Sequence, residues 1–158
     1  MFRTGIGFDI HRLKRGRRFL LGGALIPFHK GEAGHSDGDV LAHAVSDALL
    51  GACGAGDIGE LFPPSDPALK DADSMGLLKA VSSRVRGQGW RLVNLDCVVI
   101  CEEPKILPFR DVIRKSLADT LEVPPENVFV KGKTAEGLGA VGRGKAVCAH
   151  AVCLLEKS

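Results

Sequence analysis

Apolar residues recur at strand spacing where the chain begins and at helical spacing further on. Residues 2–10 alternate loosely between apolar and polar positions and lead into a basic turn, RLKRGRR. The short apolar run Phe19–Leu21 follows that turn, so the pattern predicts a β-hairpin. From Val40 to Cys53 the apolar positions return at helical spacing, which predicts a helix that Gly54 is suited to end.

Two further helices and three strands are predicted in the rest of the chain. Asp73 or Ser74 can cap the next helix, and Gly87 can end it. Pro108 suits the first turn of a third helix, and a Pro-Pro pair breaks the chain after it. Strands are predicted over Leu92–Cys101, Val128–Lys133 and Lys145–Glu156.

The order of these elements predicts the fold class. The two later helices carry apolar stripes. These stripes consist of Leu77, Leu78, Val81 and Val85 in the second helix and of Phe109, Val112, Ile113 and Leu117 in the third. A hairpin, two helices, a strand, a helix and two strands predict an α/β (α+β) fold, a two-layer sandwich with helices on one face of a mixed β-sheet. Since 158 residues are typical of one globular domain, a single catalytic domain over residues 1–158 is expected.

The charge balance gives no indication of a nucleic-acid or membrane partner. Charged residues make up 25% of the chain, and the net charge is +2. No stretch approaches the roughly 18 apolar residues that a bilayer-spanning helix needs. The first residues run straight into a strand-like pattern, which leaves no room for a signal or transit peptide. These features predict a cytoplasmic protein.

The cysteines are predicted to be buried free thiols in a reducing compartment. There are 5 of them, no pair forms CxxC, and most have apolar neighbours. Zinc held by Cys148 or Cys153 with His150 is an alternative, although the alternating pattern AVCAHAVCLL indicates a core strand instead.

Carboxylates and imidazoles concentrate at two places in the first third of the chain. Asp9 and His11 are two residues apart on a predicted strand, so their side chains point to the same face. Residues 35–43, HSDGDVLAH, place two histidines and two carboxylates around a helix start. His43 lies in an apolar helical stretch, where a histidine needs a partner or a metal.

Asp9, His11 and His43 together supply two imidazoles and one carboxylate. Three protein ligands leave the fourth tetrahedral position open, as in catalytic zinc sites. Mixed nitrogen and oxygen ligands suit Zn²⁺, and they also fit Mn²⁺, Co²⁺ or Fe²⁺. Asp47 falls one helical turn after His43 and is expected to orient that imidazole.

Two polar segments complete the candidate chemistry. Residues 57–66, DIGELFPPSD, are predicted to form a polar loop because the Pro-Pro pair cannot continue a helix or a central strand. Residues 131–139, KGKTAEGLG, contain the glycines, lysines, hydroxyl and carboxylate suited to phosphates and a metal. They do not form a Walker A motif, since its spacing is absent and no helix is expected to follow. Together the segments predict metal-assisted chemistry on a phosphorylated substrate.

Several motifs occur in one order along nearly the whole chain: GFDIH, HSDGDV followed by AHAVSDALLGA, GDIGELFPPSDP, EEPKILP, and KTAEGLG followed by GRG. With these motifs the chain closely resembles the 2-C-methyl-D-erythritol 2,4-cyclodiphosphate synthase family. The resemblance implies cyclisation of 4-diphosphocytidyl-2-C-methyl-D-erythritol 2-phosphate, with release of CMP, in non-mevalonate isoprenoid precursor biosynthesis. It also implies a homotrimer with active sites between neighbouring subunits.

The resemblance implies roles for the metal-binding and catalytic residues. It implies that Asp9, His11 and His43 bind zinc, or Mn²⁺ or Co²⁺ in its place. Glu136 matches the residue that holds a second divalent ion, Mg²⁺ or Mn²⁺, between the substrate phosphates. His35 and Thr134 match the pair that stabilises the transition state, and Ser36 belongs with His35 to the loop that closes over the phosphates.

The implied substrate contacts fall into groups. Asp57 and Gly59, with Ile58 between them, correspond to ribose contacts. The methylerythritol contacts correspond to Phe62, Pro63, Pro64, Ser65 and Asp66. The wall of the cytosine pocket corresponds to Cys101 through Leu107, with Pro104, Lys105 and Ile106. Further substrate-binding positions correspond to Lys133, Ala135, Ala140 and Arg143.

Two positions depart from the family pattern. Ala140 stands where relatives often have a bulky aromatic residue that lines a central trimer cavity associated with isoprenoid diphosphates. Such a ligand is therefore not implied for this chain, although Arg143 still offers a phosphate anchor. Ala135 replaces a frequently hydroxylated residue after Thr134, which removes one hydrogen bond.

Two other functions use parts of the same pattern. A metal-dependent phosphatase or nucleotide hydrolase would use the same ligands, with a zinc-bound water as the nucleophile. A nucleotide- or RNA-binding module would use the basic run between Arg12 and Arg18. With 1 tryptophan and 0 tyrosines, stacking on bases is not expected, and the run is interpreted as a solvated hairpin turn.

Overall fold

In the computed structural model, which describes residues 1–34, 36–63, 65–69 and 71–157, four strands precede three helices, and strands and helices alternate after them. The strands are β1 (Phe2–Arg15), β2 (Phe19–Leu21), β3 (Ala24–Ile26), β4 (Lys30–Ala33), β5 (Arg91–Ile100), β6 (Val128–Lys133) and β7 (Ala146–Glu156). The helices are α1 (Val40–Cys53), α2 (Ile58–Leu61), α3 (Ser74–Gly87), α4 (Arg110–Leu121) and α5 (Gly139–Gly142). Within the described ranges, no helix combines the length and the apolar character that a bilayer crossing requires.

A mixed sheet with the strand order β4-β1-β7-β5-β6 forms one layer of the molecule. β1 pairs antiparallel with β4 and with β7, and β5 pairs antiparallel with β7. β5 and β6 are parallel, and α4 lies in the crossover between them. The second layer consists of α1, which packs on β1 and β7, together with α3 and α4. This arrangement confirms the predicted two-layer α+β fold with a mixed sheet.

The hairpin predicted at the start of the chain is wrong. β1 continues through Arg15, and β2 pairs with β3 instead of with β1. The strand continues because Leu13 is buried between two exposed basic residues, which is the alternation of a half-buried strand. The basic run between Arg12 and Arg18 is therefore mostly strand, and the solvated turn is confined to its end.

Two helices begin and end as the sequence predicts. Asp39 caps α1 by accepting backbone N–H groups of Leu41 and Ala42, and Gly54 ends it in the left-handed conformation. Asp73 caps α3 through the backbone N–H of Met75. The third predicted helix differs, because the turn that contains its proline is a separate 3₁₀ turn.

One member of the predicted stripe of α4 is not buried. Val112 is 54% exposed, whereas Ile113 and Leu117 are fully buried and Phe109 packs against the core. α4 covers the edge of the sheet near β6 and presents only a narrow face to the core. Val112 lies outside that face, so its assignment to the buried stripe is wrong.

The contact between α1 and β1 depends on two glycines in the strand. A Cβ atom at Gly7 would lie 1.8 Å from the carbonyl oxygen of Ala44, and one at Gly5 would lie 1.9 Å from that of Ala48. Since both close contacts are with helix backbone, no side chain at these positions fits without moving α1. The helix therefore lies directly against the strand that carries Asp9 and His11.

We expect Gly7→Ala to lower the free energy of unfolding by roughly 2–3 kcal/mol or more, since the added methyl forces the helix away from the strand. Gly51→Ala is the matched control, because a Cβ there meets nothing within 4 Å. Because alanine has a higher helix propensity than glycine, Gly51→Ala is expected to raise the free energy of unfolding by about 0.5–1 kcal/mol. Urea titrations of both variants measure the difference, and a Gly7→Ala protein as stable as the parent would contradict the packing described.

Candidate metal centre and adjoining cavities

Three side chains meet where the helix-facing side of β1 approaches α1. Asp9 and His11 continue the face of the strand that Gly7 occupies, and His43 projects from the helix opposite them. Oδ2 of Asp9 lies 3.0 Å from Nε2 of His11 and 2.9 Å from Nδ1 of His43. One potential ligand atom from each residue lies within 4.8 Å of the other two. The spacing is that of a small cation site with two nitrogens and one oxygen.

The far nitrogen of each imidazole has a partner of its own. Nδ1 of His11 lies 2.5 Å from the carbonyl oxygen of Gly38. Nε2 of His43 lies 3.1 Å from Oγ of Ser36 and 3.0 Å from Oγ of Ser74. Because these partners orient both rings, the nitrogens that face Asp9 are directed at a common point.

The charges of the three groups are strongly coupled. Burial opposes ionisation of Asp9, but hydrogen bonds and charge from the two histidines outweigh it and hold the pKa of Asp9 well below its usual range. Burial also disfavours the charged form of His11, yet the hydrogen bond and charge of Asp9 raise the pKa of His11 above its ordinary value. Asp9 is therefore a carboxylate throughout the physiological pH range, ready to bind a cation.

The loop before α1 is anchored by two buried carboxyl groups, Asp39 and Glu32. Besides capping the helix, Asp39 accepts hydrogen bonds from the backbone N–H groups of Gly22 at 2.9 Å and Gly23 at 2.6 Å. Glu32 is fully buried and accepts from the backbone N–H of Val40 at 3.3 Å. Burial, with the nearby charge of Asp39, raises the pKa of Glu32 well above its ordinary value. These contacts hold Gly38 where its carbonyl reaches His11.

Asp47 does not orient His43 as the sequence suggested. Its Oδ1 accepts a hydrogen bond from the backbone N–H of Ile58 at 2.8 Å, and both ring nitrogens of His43 have other neighbours. The prediction is wrong because helical spacing places Asp47 near His43 without deciding where its carboxylate turns. Its role here is to hold the start of α2.

The first cavity, about 250 Å³, opens beside the three candidate ligands. Besides these ligands, its lining comprises Ser36, Asp47, Ile58, Gly59, Phe62, Leu69 and Leu77. Of the predicted substrate contacts, Ser36, Ile58, Gly59 and Phe62 thus lie beside the candidate metal ligands. The expected loop over residues 57–66 contains the short helix α2, which begins because the carboxylate of Asp57 accepts from the backbone N–H of Glu60 at 2.8 Å.

Three described residues of the predicted methylerythritol group lie outside that lining. Pro63, Ser65 and Asp66 are exposed at the turn after α2, where the backbone N–H of Asp66 donates to the carbonyl of Pro63 at 3.0 Å. His35 and Pro64 lie outside the described residues, and their predicted roles stay predictions.

A second cavity, about 190 Å³, lies beside the loop between β5 and α4. Its lining comprises Cys101, Lys105, Ile106, Leu107, Arg110, Gly132, Lys133 and Thr134. This cavity thereby brings together Thr134 and most of the residues predicted for the cytosine pocket. Burial raises the pKa of the Cys101 thiol to about 12, so this lining cysteine is a neutral group. Within one chain, the two cavities share no described lining residue.

The segment after β6 places the other predicted residues at the surface near the second cavity. Oε1 of Glu136 accepts from the hydroxyl of Thr134 at 2.7 Å, and the backbone N–H of Ala135 donates to Glu102 at 3.2 Å. The expectation that no helix follows this segment is wrong, since Ala140 lies in the short helix α5. Arg143 is exposed just after it.

Three further observations concern residues singled out in the sequence. Among the described residues, the centre around Asp9 is the one cluster of three or more potential metal ligands, so Glu136 offers a single carboxylate within this chain. Pro104 follows a cis peptide bond and stands next to the second cavity lining. Cys148 and Cys153 are buried free thiols, as the core-strand interpretation expects.

The sequence did not identify two residues near His43. Ser74 was expected only to cap a helix, and Asp37 was noted among the carboxylates of residues 35–43 without a role. Ser74 donates its hydroxyl to Asp37 in a short hydrogen bond and lies beside His43. No spacing rule connects a residue on α3 to one on α1, so only the tertiary structure reveals this contact.

Comparisons with known proteins agree with this arrangement. The sequence model of the YgbB family matches residues 2–156. A protein of Treponema denticola, named 2-C-methyl-D-erythritol 2,4-cyclodiphosphate synthase, is 61% identical over 97% of this chain and 95% of its own length.

Solved structures show the same fold. A CDP-bound 2C-methyl-D-erythritol-2,4-cyclodiphosphate synthase superposes with a TM-score of 0.90 at 40% identity, over 98% of this chain and 100% of its own. The bifunctional IspDF of Campylobacter jejuni superposes with a TM-score of 0.96 at 40% identity over 100% of this chain. The present chain spans 43% of that bifunctional protein. Because the family match and the relatives extend along nearly its whole length, the chain belongs to the YgbB family of 2-C-methyl-D-erythritol 2,4-cyclodiphosphate synthases.

Proposed function

We propose that the chain converts 4-diphosphocytidyl-2-C-methyl-D-erythritol 2-phosphate into 2-C-methyl-D-erythritol 2,4-cyclodiphosphate and CMP. The observation that carries the proposal is the cluster of Asp9, His11 and His43 at the wall of a cavity, in a chain of this family. The name of the Treponema denticola relative supports the same reaction. A phosphatase or nucleotide hydrolase with the same ligands is not favoured by these relatives.

The donor atoms at the cluster fit a zinc ion. One carboxylate oxygen and two imidazole nitrogens are the mixed hard and borderline ligands that Zn²⁺ accepts, and Mn²⁺ or Co²⁺ fits them as well. The low pKa of Asp9 keeps its oxygen available at every relevant pH. When bound, such an ion supplies Lewis acidity to a phosphate oxygen and holds that phosphate in place.

The reaction needs positioning more than acid–base chemistry. An oxygen of the 2-phosphate attacks the β-phosphorus, and the bond from that phosphorus to the CMP oxygen breaks, so CMP leaves with the electron pair. Both reacting groups belong to one molecule, and correct placement of such groups can lower a barrier by about 7–11 kcal/mol. We infer that Ile58, Gly59 and Phe62 shape the wall against which the methylerythritol part folds, with Ser36 near the phosphates.

The second cavity is suited to the cytidine part. Lys105 and Lys133 contribute positive charge there, and Ile106 with Leu107 forms an apolar wall. We infer that Thr134 contacts the phosphates with His35, and that Glu136 holds Mg²⁺ or Mn²⁺ between them. The hydrogen bond from Thr134 to Glu136 supports a common position for these two side chains.

We propose that three copies of the chain assemble so that the cavities of neighbouring subunits form one site. The separation of the two cavities within one chain supports this, since one substrate has to reach both. The sheet face opposite the helices also exposes apolar side chains, and Ile6 is 71% exposed there beside Phe8, Ile10 and Val152. An apolar face of this kind favours burial against another subunit.

The expectation of a cytoplasmic location stays a prediction. It is supported by the five cysteines, which are all free and buried. Unpaired thiols are typical of proteins in reducing compartments.

We expect His43→Ala to lower the rate of CMP release by on the order of 10²-fold or more, because it removes one of three ligands from the metal. His29→Ala is the matched control, since that histidine is exposed and contacts Phe28 away from the cluster. Chromatography of released CMP and thermal unfolding are measured on both variants. Full turnover by a folded His43→Ala protein would overturn the metal assignment.

We expect Asp47→Asn to retain zinc affinity, because Asp47 bonds the backbone of Ile58 rather than His43. Losing a hydrogen-bonded partner of a metal ligand would instead lower the zinc affinity by roughly 10–100-fold. Competition with a chromophoric chelator measures the affinity. A loss of that size would contradict the separation of Asp47 from the metal centre.

The trimer is tested by placing charge on the exposed sheet face. Ile6 and Val152 are paired across β1 and β7, so Ile6→Lys with Val152→Lys sets two like charges at its centre. Native mass spectrometry is expected to show loss of the trimer, while zinc affinity persists because one chain supplies all three ligands. Leu25→Lys, at another exposed apolar position on β3, is expected to leave the trimer intact. A trimer that survives the double change would contradict burial of this face.

A further inference from the structure

The second nitrogen of His43 lies in a buried group of hydroxyls. Oγ of Ser74 is 3.0 Å from Nε2 and Oγ of Ser36 is 3.1 Å from it. Ser74 is 1% exposed and Ser36 is also buried. Nδ1 of the same ring lies 2.9 Å from Oδ2 of Asp9. The two nitrogens of His43 are thereby divided between a metal side and a hydroxyl side.

Asp37 decides which way the Ser74 hydroxyl points. Oδ1 of Asp37 accepts the hydroxyl of Ser74 in a short hydrogen bond. Oδ2 of the same carboxylate accepts the backbone N–H of Ser74 at 3.2 Å. A serine hydroxyl has one proton to donate, and here a carboxylate takes it. The oxygen of Ser74 is left to accept, and it lies 3.0 Å from Nε2 of His43 and 3.2 Å from the hydroxyl oxygen of Ser36.

We propose that Asp37, Ser74 and His43 form a hydrogen-bonded relay that accepts from Nε2–H of His43 and orients the ring so that Nδ1 faces the metal. The inference rests on the proposed metal site and extends it to two residues outside the proposed ligand set. A metal-bound imidazole is commonly oriented by a carboxylate that accepts from its other nitrogen. In this chain a serine stands between the carboxylate and the ring.

The neighbouring groups are less suited to this task. Ser36 accepts from the backbone N–H of Gly38 at 3.2 Å, and in the described part of the chain its hydroxyl contacts His43 and Ser74 but no carboxylate. Asp47 is engaged with Ile58. Ser74 also stands at the first position of α3, whose residue Leu77 lines the substrate cavity. The relay therefore connects the metal ligand on α1 with the cavity wall on α3.

Ser74→Ala tests the relay through zinc affinity. We expect the variant to bind zinc roughly 10–100-fold more weakly, which is the usual effect of losing a partner that orients a metal ligand. Affinity is measured by competition with a chromophoric chelator on the full chain. Ser82→Ala is the matched control, because Ser82 is another buried serine of α3 and bonds Arg86 at 3.1 Å, away from the ligands. Its zinc affinity is expected to equal that of the parent.

The variant Asp37→Asn distinguishes a relay through the Ser74 hydroxyl from a role of Asp37 that only supports α3. If Asp37 acts only through Ser74, it contributes little to the zinc affinity once the Ser74 hydroxyl is removed. The double variant Asp37→Asn with Ser74→Ala is therefore expected to bind zinc about as weakly as Ser74→Ala alone. Nitrogen-15 NMR of the zinc-loaded protein is expected to show a hydrogen-bonded Nε2–H on His43, and a shifted Nε2 signal in Ser74→Ala. A merely structural role would change thermal stability without changing that signal.

Several results would overturn the relay. These are parent-like zinc affinity in Ser74→Ala, fully additive effects of the two changes, or a loss confined to Ser36→Ala. If Ser74→Ala does not fold, Ser74→Thr is expected to keep the affinity and Asp37→Asn to lower it, and the reverse order contradicts the proposal. Absence of zinc binding by the parent protein would instead remove the proposed metal site itself, so the two failures are distinguishable.

Discussion

The close contact between α1 and β1 is the constraint on which the rest of the structure depends. Two glycines remove the side chains that would separate the helix from the strand, and the carbonyl oxygens of the helix occupy that space. The strand can then carry Asp9 and His11 on the same face, one step beyond Gly7, directly opposite His43. A wider helix–strand spacing, such as ordinary side chains produce, would pull the imidazole on the helix away from the carboxylate on the strand.

The polar groups around this contact make it a chemical site instead of a packed core. Asp39 and Glu32 hold the loop before α1 in a buried hydrogen-bond network, and the loop brings the carbonyl of Gly38 to His11. On the other side, Ser74 approaches His43 from α3. Both imidazoles are thus oriented by groups from different parts of the chain. The centre is preorganised, which suits a reaction that depends on holding two phosphates together.

Much of the fold could be predicted because its signals are local. α1 and α3 begin at capping aspartates and follow apolar periodicity, and the candidate metal ligands were identified by residue type and spacing. Features that depend on contacts between distant parts of the chain were harder to predict from the sequence. The alternation in β1 continues through its basic residues, and the pairing of that strand with β7 depends on residues far along the chain. Asp47 had the helical spacing to reach His43 but bonds Ile58 instead, and the contact of Ser74 with Asp37 crosses between elements.

Phosphorus NMR of the product tests the central claim most directly. The purified protein is incubated with 4-diphosphocytidyl-2-C-methyl-D-erythritol 2-phosphate, Mg²⁺ and Zn²⁺, beside an identical sample treated with a chelator. The account predicts stoichiometric CMP and a cyclic diphosphate, both lost on chelation. Release of CMP with an open methylerythritol bisphosphate would contradict cyclisation and indicate a hydrolase, and turnover unaffected by chelation would contradict a metal centre at Asp9, His11 and His43.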